Sequence, residues 1–183
     1  MLKKVFISAC AAAMLAGGMV TTARAEATTT DMQIRNEVEQ KLSRYVFYTI
    51  FDDVQGTIRN GVVTLTGHVT APYKASEMAN LVKRVSGVSE VDNKIETLPV
   101  SMFDDELRVG IARAIYRNPT FWNYAIQPNP PIHVIVDHGH VTLTGVVNSN
   151  VERMMAESIA RSADGVFSVK NDLKLEHDVR ESN

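Results

Sequence analysis

The chain has 183 residues, of which 45% are hydrophobic and 22% charged, ordinary proportions for a folded globular protein. Its 19 Lys and Arg stand against 21 Asp and Glu, a net charge of −2, which excludes a strongly basic nucleic-acid binder. A single cysteine, Cys10, excludes an internal disulfide framework.

Lys3 and Lys4 precede an almost wholly apolar or small stretch from Val5 to Val20, and Ala23-Arg24-Ala25 has the small-x-small form of a leader cleavage site. Residues 1–25 are therefore read as a secretory signal peptide cleaved after Ala25, and the protein as periplasmic. The apolar run falls short of the roughly 20 residues that a membrane span needs. Ile7-Ser8-Ala9-Cys10 is only superficially a lipid-attachment box, because too little apolar sequence precedes it. Cleavage would leave 158 residues with 16 basic and 21 acidic side chains, a net charge of −5 and no cysteine. Such a charge weakens any simple electrostatic attraction to anionic lipid.

Asp31 is placed to cap a helix whose apolar residues Ile34, Val38 and Leu42 recur every four positions. The aromatic segment Tyr45–Phe51 follows. Asn60-Gly61 then predicts a two-residue hairpin turn that pairs Ile58 with Val63 and Gly56 with Leu65. Val54, Ile58, Val63 and Leu65 share the buried face, while Thr64 and Thr66 take the other. Pro72 opens a second helix with a stripe of Met78, Leu81, Val82 and Val85, ended by Gly87. A last strand carries Val88, Val91 and Ile95.

The pattern then recurs. Gly61-Val62-Val63-Thr64-Leu65-Thr66-Gly67 matches Gly139-His140-Val141-Thr142-Leu143-Thr144-Gly145 at a spacing of 78 residues. The same spacing carries Gly87, Val91 and Asn93 onto Gly165, Val169 and Asn171. In the second copy Asp104 or Asp105 precedes Leu107, Ile111 and Ile115, and His138-Gly139 forms the turn. Ile132, Val134, Val136, Val141 and Leu143 make the buried sheet face, and Ala156, Ile159, Ala160 and Ala163 make the second helical stripe, ended by Gly165. The expected fold is α+β: two tandem αββαβ domains, each a three-stranded mixed sheet with two helices on one face and a right-handed final crossover. The expected domains are 31–98 and 103–177, with a linker at 99–102 and a tail at 178–183. The apolar residues of Leu98-Pro99-Val100-Ser101-Met102 suggest a fixed interface between the copies.

The block [Asn/His]-Gly-x-Val-Thr-Leu-Thr-Gly-x-Val, a helix, and then Gly-Val-x-x-Val-x-Asn-x-[Ile/Leu], present twice, resembles the BON domain. That resemblance implies an envelope protein associated with phospholipid binding, envelope integrity or chaperone-like roles, and generally no catalysis. Relatives of this kind include osmotically inducible periplasmic proteins and dual-BON outer-membrane lipoproteins. The lipoproteins' attachment cysteine is missing from this chain.

Phe121, Trp122 and Tyr124 lie on a Pro-flanked loop in the longer second insertion, and are the candidate lipid or partner contacts. Their alternative role is to close the open edge of the core or to pack the two domains together. Asp137-His138-Gly139-His140 resembles a metal cluster, but a tight turn separates the two histidines and the first copy has Asn60 and Val62 there. His133 is placed on the polar sheet face near Thr144, and Asp52-Asp53 and Asp104-Asp105-Glu106 are read as solvent-facing or capping residues. No nucleophile elbow, phosphate loop or HExxH motif is present, so no catalytic, cofactor or metal residue is assigned. The leading expectation is a periplasmic protein binding the membrane surface under envelope or osmotic stress. The alternative is a chaperone or assembly factor for envelope proteins, using methionine and apolar loops as an adaptable surface.

Overall fold

The computed structural model describes residues 20–181, with side chains from residue 30 to residue 180. The leader expected over residues 1–25 lies outside the described residues except for a helical backbone from Val20, and Cys10 lies outside them altogether. The first unit comprises α1 (Val20–Ser43), β1 (Asp53–Arg59), β2 (Val62–Val69), α2 (Pro72–Val82) and β3 (Glu90–Thr97). The second comprises α3 (Met102–Arg117), a 3-10 turn (Pro119–Phe121) running into the short α4 (Trp122–Ala125), β4 (Ile132–Asp137), β5 (His140–Val147), α5 (Asn150–Arg161), β6 (Ser168–Asn171), β7 (Lys174–Leu175) and α6 (Glu176–Glu181).

Both sheets are mixed, with an antiparallel hairpin followed by a parallel partner. Ile58 pairs with Val63 and Gly56 with Leu65, as the Asn60-Gly61 turn dictates. In the second sheet β6 and β7 run parallel to β5 in a single register, as two pieces of one strand interrupted at Asp172 and Leu173. The interruption is satisfied locally: Asp172 N donates to Leu143 O, and Leu173 N to Asn171 Oδ1. Each unit has its own core. Val38, Val63, Leu65, Val69, Met78 and Val82 centre the first, and Ile111, Ile115, Ile132, Val134 and Leu143 the second. The α6 helix overlaps the start of the expected C-terminal tail.

Three local expectations are corrected. Asp31 does not cap α1, because the helix continues back to Val20. Its carboxylate instead accepts the Asn60 and Gly61 amides at the tip of the first hairpin, at 2.8 and 3.0 Å. Asp104 is likewise neither a cap nor solvent-facing: it is buried, and accepts the His138 and Gly139 amides at 3.0 and 2.8 Å. The cap of α3 is Ser101, whose Oγ accepts Asp104 N. Gly87 and Gly165 do not end their helices, which stop at Val82 and Arg161; they turn the chain into the third strand.

Gly61, Gly67, Gly87, Gly139, Gly145 and Gly165 all have positive φ. The demand is most severe at Gly67 and Gly145, where the hairpin strands cross so closely that a Cβ would stand 1.8 Å from the carbonyl oxygen of Asp53 or Pro131. Gly110 differs. It lies in the interior of α3, where glycine costs about 1 kcal/mol relative to alanine, and nothing stands within 4 Å of where its Cβ would be.

The two units are joined by contacts that the linker does not make. Leu98 is buried and its amide donates to Val69 O, but Val100 and Met102 are exposed. The junction is built by the segment after α1. Ile50 and Phe51 pack against the second core, and Ile50 O accepts Val134 N at 2.8 Å. His133 Nδ1 lies 2.5 Å from Asp52 O, and its ring is 5.3 Å from that of Tyr48. His133 pairs in register with Thr144, and both are buried. Asp52 itself is wholly buried rather than solvent-facing. Its Oδ1 accepts from Thr70 N and Oγ1, and its Oδ2 from Thr49 N, Thr49 Oγ1 and Lys74 Nζ at 2.7 Å. Burial pushes the Asp52 carboxyl up, but Lys74 and the Thr70 and Thr49 donors outweigh it and hold the group below its usual range. Burial lowers His133, outweighing the Asp52 carbonyl and the Asp53 and Asp52 charges.

Asp104→Ala should cost about 3 kcal/mol in urea unfolding and Asp31→Ala about 1–2, because each strands two turn amides but only Asp104 is fully enclosed. Lys74→Met should cost about 3–5 kcal/mol by leaving the Asp52 carboxylate without its cation, and Asp52→Asn combined with Lys74→Met should recover part of that loss. His133 is held neutral in the fold, so its contribution is present above the unfolded pKa of about 6.5 and is lost as pH falls below it. The wild type should therefore lose more urea stability between pH 7.5 and pH 5, both about one unit or more from that value, than His133→Gln; equal losses would contradict this account.

Candidate contact surface

Phe121, Trp122 and Tyr124 part company in the structure. Asn118 Oδ1 accepts Thr120 N and Pro119 opens the 3-10 turn, so the chain coils immediately after α3. Coiling sends positions three apart the same way, and Phe121 and Tyr124 go inward to 0% and 6% exposure, their rings stacked at 6.2 Å. Trp122 stays outside at 67%, with Ile126, four positions on, also exposed. As contact residues Phe121 and Tyr124 are thus corrected to core residues: an α+β unit of this size needs their area to close its open edge.

Tyr124 also bolts α4 to the start of α5. Its hydroxyl donates to Glu152 Oε2 at 2.7 Å and accepts Asn148 N at 2.9 Å. Burial and the Glu152 hydrogen bond push the phenol up to about 12, so it remains a donor at neutral pH. Ser149 caps α5 by accepting Glu152 N. Val151, next to Glu152, is exposed.

The first unit builds a matching rim from different residues. Val46 and Phe47 project after α1, and Phe47 meets Tyr73 edge-on at 6.0 Å. Tyr73 occupies the α2 position that Val151 occupies in α5, 78 residues later. Tyr45 hydrogen-bonds Glu77, and Tyr48 turns inward, its hydroxyl accepting Val54 N. Beside Tyr45 and Val46 lies an open groove of about 640 Å³ whose wall includes Lys41 and Arg44. Each unit therefore exposes large apolar side chains from the segment after its first helix and from the first turn of its second. In the first unit the groove beside them carries Glu37, Lys41 and Arg44.

The remaining polar candidates are occupied individually. His138 pairs with neighbouring Asp137, and His140 with Ser168 Oγ at 2.7 Å. His133 belongs to the inter-unit junction, and His68 pairs with Asp53 at 3.1 Å. Among the described residues no three His, Cys, Asp or Glu side chains are grouped to hold a metal ion, and no helix is long and apolar enough to cross a membrane. The features not foreseen are the Asp31 and Asp104 clamps and the Asp52–Lys74 pair. The clamps had a signal, since Asp-x-x-[Ile/Leu] opens the apolar stripe of the first helix in both copies. The ion pair had none, because the second copy has Pro130 and Glu152 at those positions.

Comparison with known proteins fits this duplicated architecture. The BON domain matches residues 30–99 and again residues 104–176. Osmotically-inducible protein Y of Escherichia coli (strain K12) is 35% identical over 114 residues, covering 62% of this chain and 57% of that protein. This chain thus matches only somewhat over half the length of that relative. Among solved structures, CdsD, a structural protein of the type III secretion system of Chlamydia trachomatis, aligns with 82% of this chain and 97% of its own at 16% identity and a TM-score of 0.29. The C-terminal domain of the same protein aligns with 76% of this chain and 96% of its own at 15% identity and a TM-score of 0.26. The two matched segments span both sheets and their helices, and the chain belongs to the BON-domain family.

Proposed function

We propose that this is a non-catalytic protein of the bacterial envelope, exported to the periplasm, that binds phospholipid at a membrane surface and supports envelope integrity under osmotic stress. The observation that carries the reading is the repeated apolar rim: Val46, Phe47 and Tyr73 in the first unit, and Trp122, Ile126 and Val151 in the second. Large exposed apolar side chains set on folded elements suit the boundary between headgroups and acyl chains, and Trp and Tyr suit it best. Arg44 beside the first rim supplies a local partner for phosphate, although the chain as a whole is acidic. Stress induction rests on the name of the Escherichia coli relative and on the family membership. The family is generally non-catalytic, and the polar side chains singled out above are engaged in structural pairs.

A second reading, a chaperone or assembly factor for envelope proteins, is favoured by the exposed Met32, Met102 and Met154. Flexible thioethers adapt to varied apolar partners. Suppression of outer-membrane-protein aggregation would support that role.

Trp122→Ala and Phe47→Ala should each weaken co-sedimentation with phospholipid vesicles by about tenfold, with unchanged urea unfolding midpoints. Because insertion rather than net charge drives the contact, binding should change little between about 0.05 and 0.5 M salt. Flotation with neither anionic nor neutral vesicles would overturn the membrane reading.

A further inference from the structure

A groove of about 450 Å³ runs between α3 and α5 on the helical side of the second unit. Leu107, Ile111 and Ile159 line it, Phe103 stands at one end, and its ionic groups are two carboxylates, Glu106 and Asp164. Neither carboxylate has an ion-pair partner among the described residues. This groove is distinct from the apolar rim formed by Trp122, Ile126 and Val151.

The first unit serves as an internal comparison. The clamps Asp31 and Asp104 align α1 with α3, and on that alignment Gly110 and Ala114 stand where α1 has Glu37 and Lys41. The Glu37 and Lys41 side chains approach to 3.9 Å and wall the corresponding valley with charge. Just past the end of the facing helix, Ser162 and Ala163 stand where the first unit has Arg84 and Val85. The first-helix wall of the second unit thus carries small residues in place of Glu37 and Lys41, and the helix backbone of α3 is laid bare at Gly110.

Gly110 gives this arrangement its direction. Glycine weakens a helix interior, and here no neighbour within the chain excludes a side chain, since the space at its Cβ is open. What a bare backbone permits is close approach by something outside the fold. Small residues at positions four apart, as Gly110 and Ala114 are, let another helix pack near the α3 backbone. The carboxylate rim disfavours a phosphate headgroup and matches lysine or arginine. We propose that the α3–α5 groove of the second unit docks a basic amphipathic helix of a protein partner, whose apolar side chains cover Phe103 and Ile159 and whose cations meet Glu106 and Asp164. This proposal does not depend on the membrane reading, which uses other residues.

The test uses a fluorescein-labelled amphipathic helical peptide of leucine and lysine, about 15 residues long, and a leucine–glutamate counterpart, titrated by anisotropy into the purified protein. The leucine–lysine peptide should bind the wild type, and the leucine–glutamate peptide should bind at least about tenfold more weakly. Gly110→Glu combined with Ala114→Lys installs the first unit's pair and leaves the net charge unchanged. It should weaken the leucine–lysine peptide by at least about tenfold while keeping or raising the urea midpoint. Glu106→Gln with Asp164→Asn should also weaken it, through a change that adds no bulk. Unchanged peptide affinity in the Gly110/Ala114 double variant overturns the proposal. So does a parallel loss of vesicle co-sedimentation in that variant, which would assign the groove to acyl chains; unchanged vesicle binding alongside weakened peptide binding supports the helix. Loss of vesicle binding in Trp122→Ala leaves this result untouched, so the two readings fail separately.

Discussion

Five donors converge on the Asp52 carboxylate, and one of them is the ammonium of Lys74. Both side chains are buried, so the pair is defensible only because the oxygens of Asp52 are saturated with hydrogen bonds. The arrangement ties three places together: the segment after α1 through Thr49, the end of β2 through Thr70, and the first turn of α2 through Lys74. It holds the segment from Tyr48 to Asp53 in one shape, which then presents the Ile50 and Asp52 carbonyls to β4 and Ile50 and Phe51 to the second core. The relation between the two units thus rests on electrostatics buried within the first.

Against that singular feature stands a device used twice. In both units a helical aspartate holds the tip of the hairpin, and the asparagine of the third strand donates to a carbonyl of the second helix, Asn93 to Ala75 O and Asn171 to Arg153 O. These bonds secure an αββαβ unit from its two ends. Duplication preserved them, while the segments after the first helices diverged. One copy used that segment to reach its neighbour; the other coiled it inward around Phe121 and Tyr124.

What could be read in advance follows the same division. Hairpin register was legible because Asn60-Gly61 and His138-Gly139 allow one two-residue turn and the alternation of Val and Thr allows one buried face. The duplicated order of elements was legible from the 78-residue spacing. The aromatic loop was legible only in composition. Whether Phe121 or Trp122 faces outward depends on a 3-10 turn whose phase is set by Asn118 and Pro119, and a loop carries no periodicity to reveal it. Asp52 looked like a surface acid because its partners, Thr70 and Lys74, are 18 and 22 residues away and are brought to it only by the completed fold. The linker misled for the opposite reason: Val100 and Met102 are apolar, but the chain passes there over the surface with nothing to cover it.

The single bond from Val134 N to Ile50 O reaches beyond the joining of two halves. β4 is the outer strand of the second sheet and carries four apolar residues, Ile132, Val134, Ile135 and Val136, the kind of edge on which another extended chain can add itself. The segment from Ile50 to Asp52 lies across that edge and takes the Val134 amide, while Tyr116 and Arg108 of α3 take the Ile132 amide and carbonyl and the Val136 carbonyl. The first unit is, in this sense, a guard on the second. A chain adding itself to that edge would first have to displace the Ile50 carbonyl from Val134 N.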